Sequence, residues 1–203
     1  MIMSALLKSL LLFVSLYTAF WRPAVKSPAV KWVLGKDCTL KVNGSTNINK
    51  FSCIIPDYPK PDTLTIYGPD QNEPVQITGS MVLDVQSFDC HNLMMTKDLR
   101  RTLKQKEFPK IRISFINLSK YPDKGGEAEL IKGTVNIELA GVKKRYSINY
   151  RTIPSGKAKL TLIGSQTINF SDFDIVPPRR LGGMIKTNDM LSAEFVLKVN
   201  ILN

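Results

Sequence analysis

The chain has 203 residues, with 28 Lys+Arg against 17 Asp+Glu, a formal net charge of +11, one His and three Cys. Hydrophobic residues at 43% and charged residues at 22% match ordinary globular domains, which excludes a disordered polyelectrolyte and a multi-span membrane protein. A single His excludes metal sites that need two or more imidazoles, while the basic excess points to an anionic partner without choosing among nucleic acid, phospholipid and an acidic head group.

Residues 1–20 differ from the rest. Met1 to Lys8 carries one positive charge and no acid, and Ser9 to Phe20 is a mostly apolar run closed by Arg22 and Pro23. The pattern predicts a secretory signal; Lys8 leaves the run short of the roughly 20 apolar residues that a membrane-spanning helix needs. Ala19 has Tyr17 two positions before it and Ala24 has Arg22, so neither offers a small-residue cleavage pattern, and an uncleaved anchor is the alternative. Residues 21–31 read as a linker. The folded domain is expected over 32–203.

From Lys36 onward the dominant signal is a period of two. Strands are predicted over Thr39–Asn43, Lys50–Ile55, Leu64–Tyr67, Val75–Val85 and Ile111–Leu118, then at the alternating runs Leu130–Leu139, Tyr146–Tyr150, Leu160–Phe170 and Leu191–Ile201. Lys132, Thr134, Asn136 and Glu138 supply the water-facing side of one run, and Ala140-Gly141 and Pro154-Ser155-Gly156 are turn signals that make consecutive strands antiparallel hairpins. One helix interrupts the strands. Thr96 is its expected N-cap, Asp98 falls in its first turn, Met95, Leu99 and Leu103 form an apolar face, and Phe108-Pro109 ends it.

Export would permit disulfides, and three Cys allow one internal bridge. Cys53 sits in the strand Phe51–Ile55 and Cys90 follows the Val82–Phe88 pattern, so Cys53–Cys90 is the preferred pair. Three inert buried thiols are the alternative. Cys38, on the same face as Leu40 and Val42, reads as a core residue, although it is also placed to replace either partner.

Eight or nine antiparallel strands leave edges unless the sheet closes, and a barrel of eight is just wide enough to be filled by side chains or to hold one small ligand. Small inward residues, Gly133, Gly164 and Ala193, are expected to leave room inside. A solid core is the alternative.

The blocks GSTNINKFSC (Gly44–Cys53), EFPKIRISF (Glu107–Phe115) after the helix, KGTVNIELAGVKKRYSINY (Lys132–Tyr150) and INFSDFDIVPP through NDMLSAEFVLKVNI (Ile168–Ile201) occur in an order that resembles the YceI-like domain. The resemblance covers about residues 32–203. It implies an all-β fold, an extended lipocalin-like barrel of eight antiparallel strands with one short helix, located in the bacterial periplasm or secreted. It further implies a non-catalytic protein that binds a polyisoprenoid or another long-chain lipid without a cofactor or a metal. The inward residues expected to line such a lumen are Phe51, Ile113, Phe115, Val135, Ile137, Tyr146, Ile148, Leu162, Phe170, Phe195 and Leu197, with plain core packing as the alternative for each. The phenols of Tyr146 and Tyr150 are placed to orient a ligand head. The loop Asp172–Asp189, with Arg179-Arg180, is placed either to cap the mouth or to lie in solvent.

Other functions fare worse on the residues. No Gly-x-Ser-x-Gly elbow, P-loop or Gly-x-Gly-x-x-Gly fingerprint occurs. His91 beside Cys90 is a poor nucleophile pair, because neighbours on a strand point to opposite faces, and Asp172 and Asp174 read as turn residues. Nucleic acid is not expected as a partner. An anionic membrane surface is the further partner that the basic charge suggests, and a barrel docking there without an internal ligand is the alternative to a carrier.

Overall fold

The structure, a computed structural model, describes residues 29–68, 73–123, 125–156 and 158–202. The expected signal and residues 21–28 of the expected linker lie outside them. The strands are β1 Ala29–Leu34, β2 Thr39–Ser45, β3 Lys50–Ile55, β4 Thr63–Tyr67, β5 Val75–Thr78, β6 Ser80–Asp84, β7 Lys110–Leu118, β8 Glu129–Leu139, β9 Val142–Pro154, β10 Lys159–Asn169, β11 Arg179–Arg180, β12 Ile185–Lys186 and β13 Met190–Leu202, with helix α1 at Leu93–Thr102.

Taken in the order β1, β4, β5, β7, β8, β9, β10, β13 and back to β1, antiparallel neighbours close a ring of eight. Closure depends on β1, which begins at Ala29 inside the segment read as a linker. Trp32 stands opposite Leu64 of β4 on one side and Ile201 of β13 on the other. The alternation of Val30, Trp32 and Leu34 about Lys31 is short and follows Pro28, so it carries little weight before its partners are known.

Two long strands each serve two neighbours on one edge. β13 pairs with β1 through Val199–Leu202 and with β2 through Ser192–Val196. Likewise β7 pairs with β6 through Lys110–Ser114 and with β5 through Asn117 and Leu118. The expected single strand Val75–Val85 is therefore two, broken at Gly79, whose φ of +128° suits glycine and whose added Cβ would meet the Thr63 carbonyl oxygen at 2.8 Å.

The barrel is thus extended. At the end that carries α1 its wall runs β6, β7, β8, β9, β10, β13, β2, β3. Among the described residues no ladder joins β3 to β6. Closure there rests on one bridge, in which Ile54 and Asp89 exchange backbone hydrogen bonds of 2.7 and 2.8 Å, and on the Cys53–Cys90 disulfide beside it. The preferred pairing is the one found. Cys38 stays a buried free thiol, pushed up in pKa by that burial, its sulfur accepting from the Lys198 amide at 3.2 Å.

Helix α1 starts a turn earlier than expected. Asn92, not Thr96, is the N-cap, its side chain accepting from the Met95 amide at 3.0 Å. Thr96 is buried and its hydroxyl accepts from the Cys90 amide at 2.9 Å, so it ties the helix to the disulfide. Asp98 consequently lies beyond the first turn. The helix also stops before Pro109: Lys104 turns left-handed at φ 53°, and the Lys104 and Gln105 amides donate back to the Arg101 and Arg100 carbonyls, the paired closing bonds of a Schellman motif.

Candidate functional site

The two ends of the barrel are filled differently. Around β1 and β4 the interior is solid, with Trp32, Leu34, Leu64, Ile66 and Val75 almost wholly buried. The Trp32 indole N–H donates to the Tyr121 hydroxyl at 3.2 Å, and the two rings meet edge to face, so the polar tips of two large side chains satisfy one another inside the core.

Toward α1 the packing opens. Ile113, Ile137, Ala193 and Phe195 lie on the inward faces of their strands yet keep accessible surface, which they present to a cavity of about 90 Å³. Leu99 of α1 and Leu103, its C-cap, floor it, Met81, Leu83 and Ile111 wall one side, and Leu191, Ala193 and Leu197 wall the other. Hydrocarbon dominates this lining; Thr39, Gln166 and Tyr150 supply its polar groups. Such a space favours an apolar guest and offers little to a charged one.

Of the expected lining residues, Ile113, Phe115, Ile137, Ile148, Phe195 and Leu197 border this cavity. Val135 and Leu162 are buried core. Phe51 and Phe170 instead line a second pocket of about 140 Å³ between α1, the β2–β3 turn and the β11–β12 segment. Tyr146 lies beside Phe173, outside both linings. The sequence reading missed Met81, Leu83 and the helix residues Leu99 and Leu103. Their apolar spacing was visible, but not that α1 folds across the barrel end.

The glycines do not leave the room expected of them. At Gly164 an added Cβ would fall 2.4 Å from the Phe195 ring, and at Gly133 it would fall 2.8 Å from the Tyr150 ring. These glycines let aromatic rings lie against the bare backbone, as Tyr150 and Phe195 also meet edge to face at 5.6 Å. Ala193 does border the cavity.

The wall carries a seam. The β9–β10 ladder runs only from Leu160 opposite Pro154 to Gly164 opposite Tyr150, after which Ser165–Asn169 pair with β13 alone. Beyond that point the turn Phe170–Phe173 takes over. The Tyr146 hydroxyl donates to Asp172 at 3.1 Å, and its ring stacks on Phe173 at 6.2 Å. Gln166 and Ile168, on the stretch of β10 that has no ladder on its β9 side, border the cavity.

The charged residues singled out from sequence are committed elsewhere. Asp172 accepts from Tyr146 and from the Asn169 amide. Arg180 pairs with Asp98 of α1, whereas Arg179 faces solvent. Cys90 is tied up in the disulfide, which removes the Cys/His pairing with His91.

Burial pushes the phenol of Tyr150 well above its ordinary pKa of 10. Its folded state holds the proton while the unfolded chain releases it, so its contribution to stability is constant below pH 10 and is lost progressively above it. Tyr150 alone is expected to contribute a slope of about 1.4 kcal/mol per pH unit above 10. Tyr58 and Tyr146, raised by burial and by Asp62 and Asp172 respectively, add in the same direction. Urea unfolding at stepped pH checks this, with Tyr150→Phe expected to flatten the slope.

An eight-stranded antiparallel barrel with an apolar internal cavity is lipocalin-like in architecture. Within that class the chain belongs to the YceI-like domain family, which matches over residues 37–201. Comparison with curated proteins gives no match. Among solved structures, the chain is similar to a polyisoprenoid-binding domain from Saccharophagus degradans implicated in plant cell wall breakdown, at TM-score 0.63 and 13% identity over 83% of this chain and 97% of that one. It is also similar to BcnA of Burkholderia cenocepacia, at TM-score 0.58 and 15% identity over 82% and 96%. At these identities the likeness establishes the shared fold.

Proposed function

We propose that the protein is an exported, non-catalytic lipid carrier that holds a polyisoprenoid or similar long amphiphilic chain with its hydrocarbon in the lumen above α1. The observation that carries this reading is the cavity: inward side chains of seven strands and a helix enclose a space with almost no polar lining, in a fold shared with a polyisoprenoid-binding domain. Burial of the guest would supply roughly 25 cal/mol per Å² of apolar surface.

Size sets the mechanism. A cavity of about 150 Å³ accepts a benzene ring, so the 90 Å³ present here has room for about one branch of a prenyl chain. A longer guest must enlarge it. Parting the β9–β10 seam would do so without breaking any ladder, since Tyr146, Asp172 and Phe173 hold that stretch by side chains.

Solvent extraction and native mass spectrometry of the purified protein test the reading, together with uptake of a fluorescent prenyl probe from detergent. A co-purifying lipid, or saturable uptake at one probe per chain, is expected. Neither lipid nor uptake would leave the alternative, a barrel that docks on membranes without an internal ligand.

A further inference from the structure

We infer that the α1 end of the barrel is a docking surface for an anionic phospholipid bilayer. Seven of the twelve large apolar side chains that face solvent among the described residues belong to this end: Ile48, Leu93, Met94, Val176, Leu181, Met184 and Met190. Leu93 is 93% exposed and Met184 71%. Apolar groups concentrated in this way mark an interaction surface, whereas scattered ones do not.

Three separate segments are fastened together to build it. Arg180 reaches α1, pairing with Asp98 and lying 3.4 Å from the Met94 sulfur. The β2–β3 turn is tied to β12 by Asn47, whose amide donates to the Lys186 carbonyl at 3.0 Å and whose side chain donates to the Met184 carbonyl at 2.9 Å. Ile48, Met94, Leu181 and Met184 therefore stand on segments fastened to one another at this end.

The charge around that face selects the partner. Lys97, a turn beyond Leu93 and Met94 on the same helix face, is exposed, as are Lys50, Arg101, Arg179 and Lys186. The acids in the same segments are Asp98, paired with Arg101 and Arg180, together with Asp174 and Asp189, and the Lys and Arg residues of residues 45–50, 93–102 and 174–190 outnumber them seven to three. Exposed apolar side chains ringed by lysine and arginine match a bilayer surface with anionic head groups, into which the apolar groups insert while the cations stay at head-group level. The surface lies at the hollow end of the barrel, so docking would bring the helix that floors the cavity against the lipid.

The test attaches an environment-sensitive dye to Leu93→Cys, and in a second protein to Leu130→Cys, which is exposed on β8 at the far end. Wild type treated with the same dye serves as the control for Cys38. Phosphatidylcholine vesicles containing phosphatidylglycerol are expected to shift the Leu93 probe to the blue and to leave the Leu130 probe unchanged. The position-specific readout separates docking by this face from any attachment through residues 1–20. Neutralising two cations, Lys97→Gln with Lys186→Gln, is expected to weaken partitioning roughly thirtyfold, and high salt to do likewise.

No shift at Leu93, an equal shift at Leu130, or an equal shift with pure phosphatidylcholine would overturn the inference. So would a shift that grows with protein concentration without vesicles, which would mark a second copy as the occupant. Prenyl-probe uptake from detergent is measured on the same variants. Loss of vesicle binding with intact uptake bears on this surface, and lost uptake with intact vesicle binding bears on the lumen.

Discussion

Replacing Ala193 with leucine is expected to cut prenyl-probe uptake roughly fiftyfold while leaving the barrel folded. Ala193 stands opposite Val42 on one side and Gln166 on the other and faces the 90 Å³ cavity. Leucine adds three carbons there. If the guest surrenders that space, it loses about 0.8 kcal/mol per displaced methylene equivalent, about 2.4 kcal/mol in all, which is the stated factor in affinity. The folded state fills a void without a new polar group, so its stability is expected to stay within about 1.5 kcal/mol of wild type. Ala193→Ser keeps the volume and is the matched control. Uptake by the leucine variant at the wild-type level would place the guest elsewhere and refute this cavity as its seat.

Removing the disulfide as Cys53→Ser with Cys90→Ser is expected to cost about 4 kcal/mol, from the loop closed over a sequence separation of 37. For a domain of this size that corresponds to a fall of about 8–16 °C in Tm. The loss should not be confined to chain entropy. The bridge stands where β3 and β6 have no ladder between them, next to the Ile54–Asp89 pair, so its removal loosens the hollow end and not the end packed around Trp32. Hydrogen exchange is expected to rise first at β3 and α1 while β1 and β4 stay protected. A Tm within about 3 °C of wild type would show that the backbone bridge alone holds this end. Cys38→Ser, buried and unbridged, provides the comparison for thiol loss.

Much of the fold was legible because β8, β9, β10 and β13 are long, 11 to 13 residues each, and alternate. Lys132 to Leu139 against Val142 to Tyr150 fixes a hairpin from pattern and turn alone, and the register found, Val135 opposite Tyr146, follows from the Ala140-Gly141 turn. The shorter elements were not legible to the same degree. β1 has six residues and gains its identity from β4 and β13, which are distant in sequence. The start of α1 was misplaced because Asn92 and Thr96 are both sound caps by type; the choice between them is made by Cys90, whose amide occupies the Thr96 hydroxyl.

The site was half legible for a related reason. Alternation tells which residues face inward, and all the expected lining residues on β7 to β13 do so or lie at the strand ends. It does not tell how far the opposite wall stands. Val135 and Leu162 meet neighbours and are core, while Ile137 and Phe195, also inward and only a few residues away on β8 and β13, border space. That difference arises from α1 crossing the end and from rings folding onto Gly133 and Gly164, both tertiary events with no local signature.

The ladder between β1 and β13 sets Lys31 opposite Leu202, so nearly the first and nearly the last described residues are neighbours. The barrel therefore cannot close before β13 has been made. Every earlier hairpin can form locally and β1 can pair with β4, but the other edge of β1 must wait for β13, and the loop-closure entropy of that meeting is among the largest in the fold. Folding is expected to end with a slow, single locking step, during which the emerging sheet has open edges. A chain with this topology keeps its ring open until β13 has been made, however many strands have already paired.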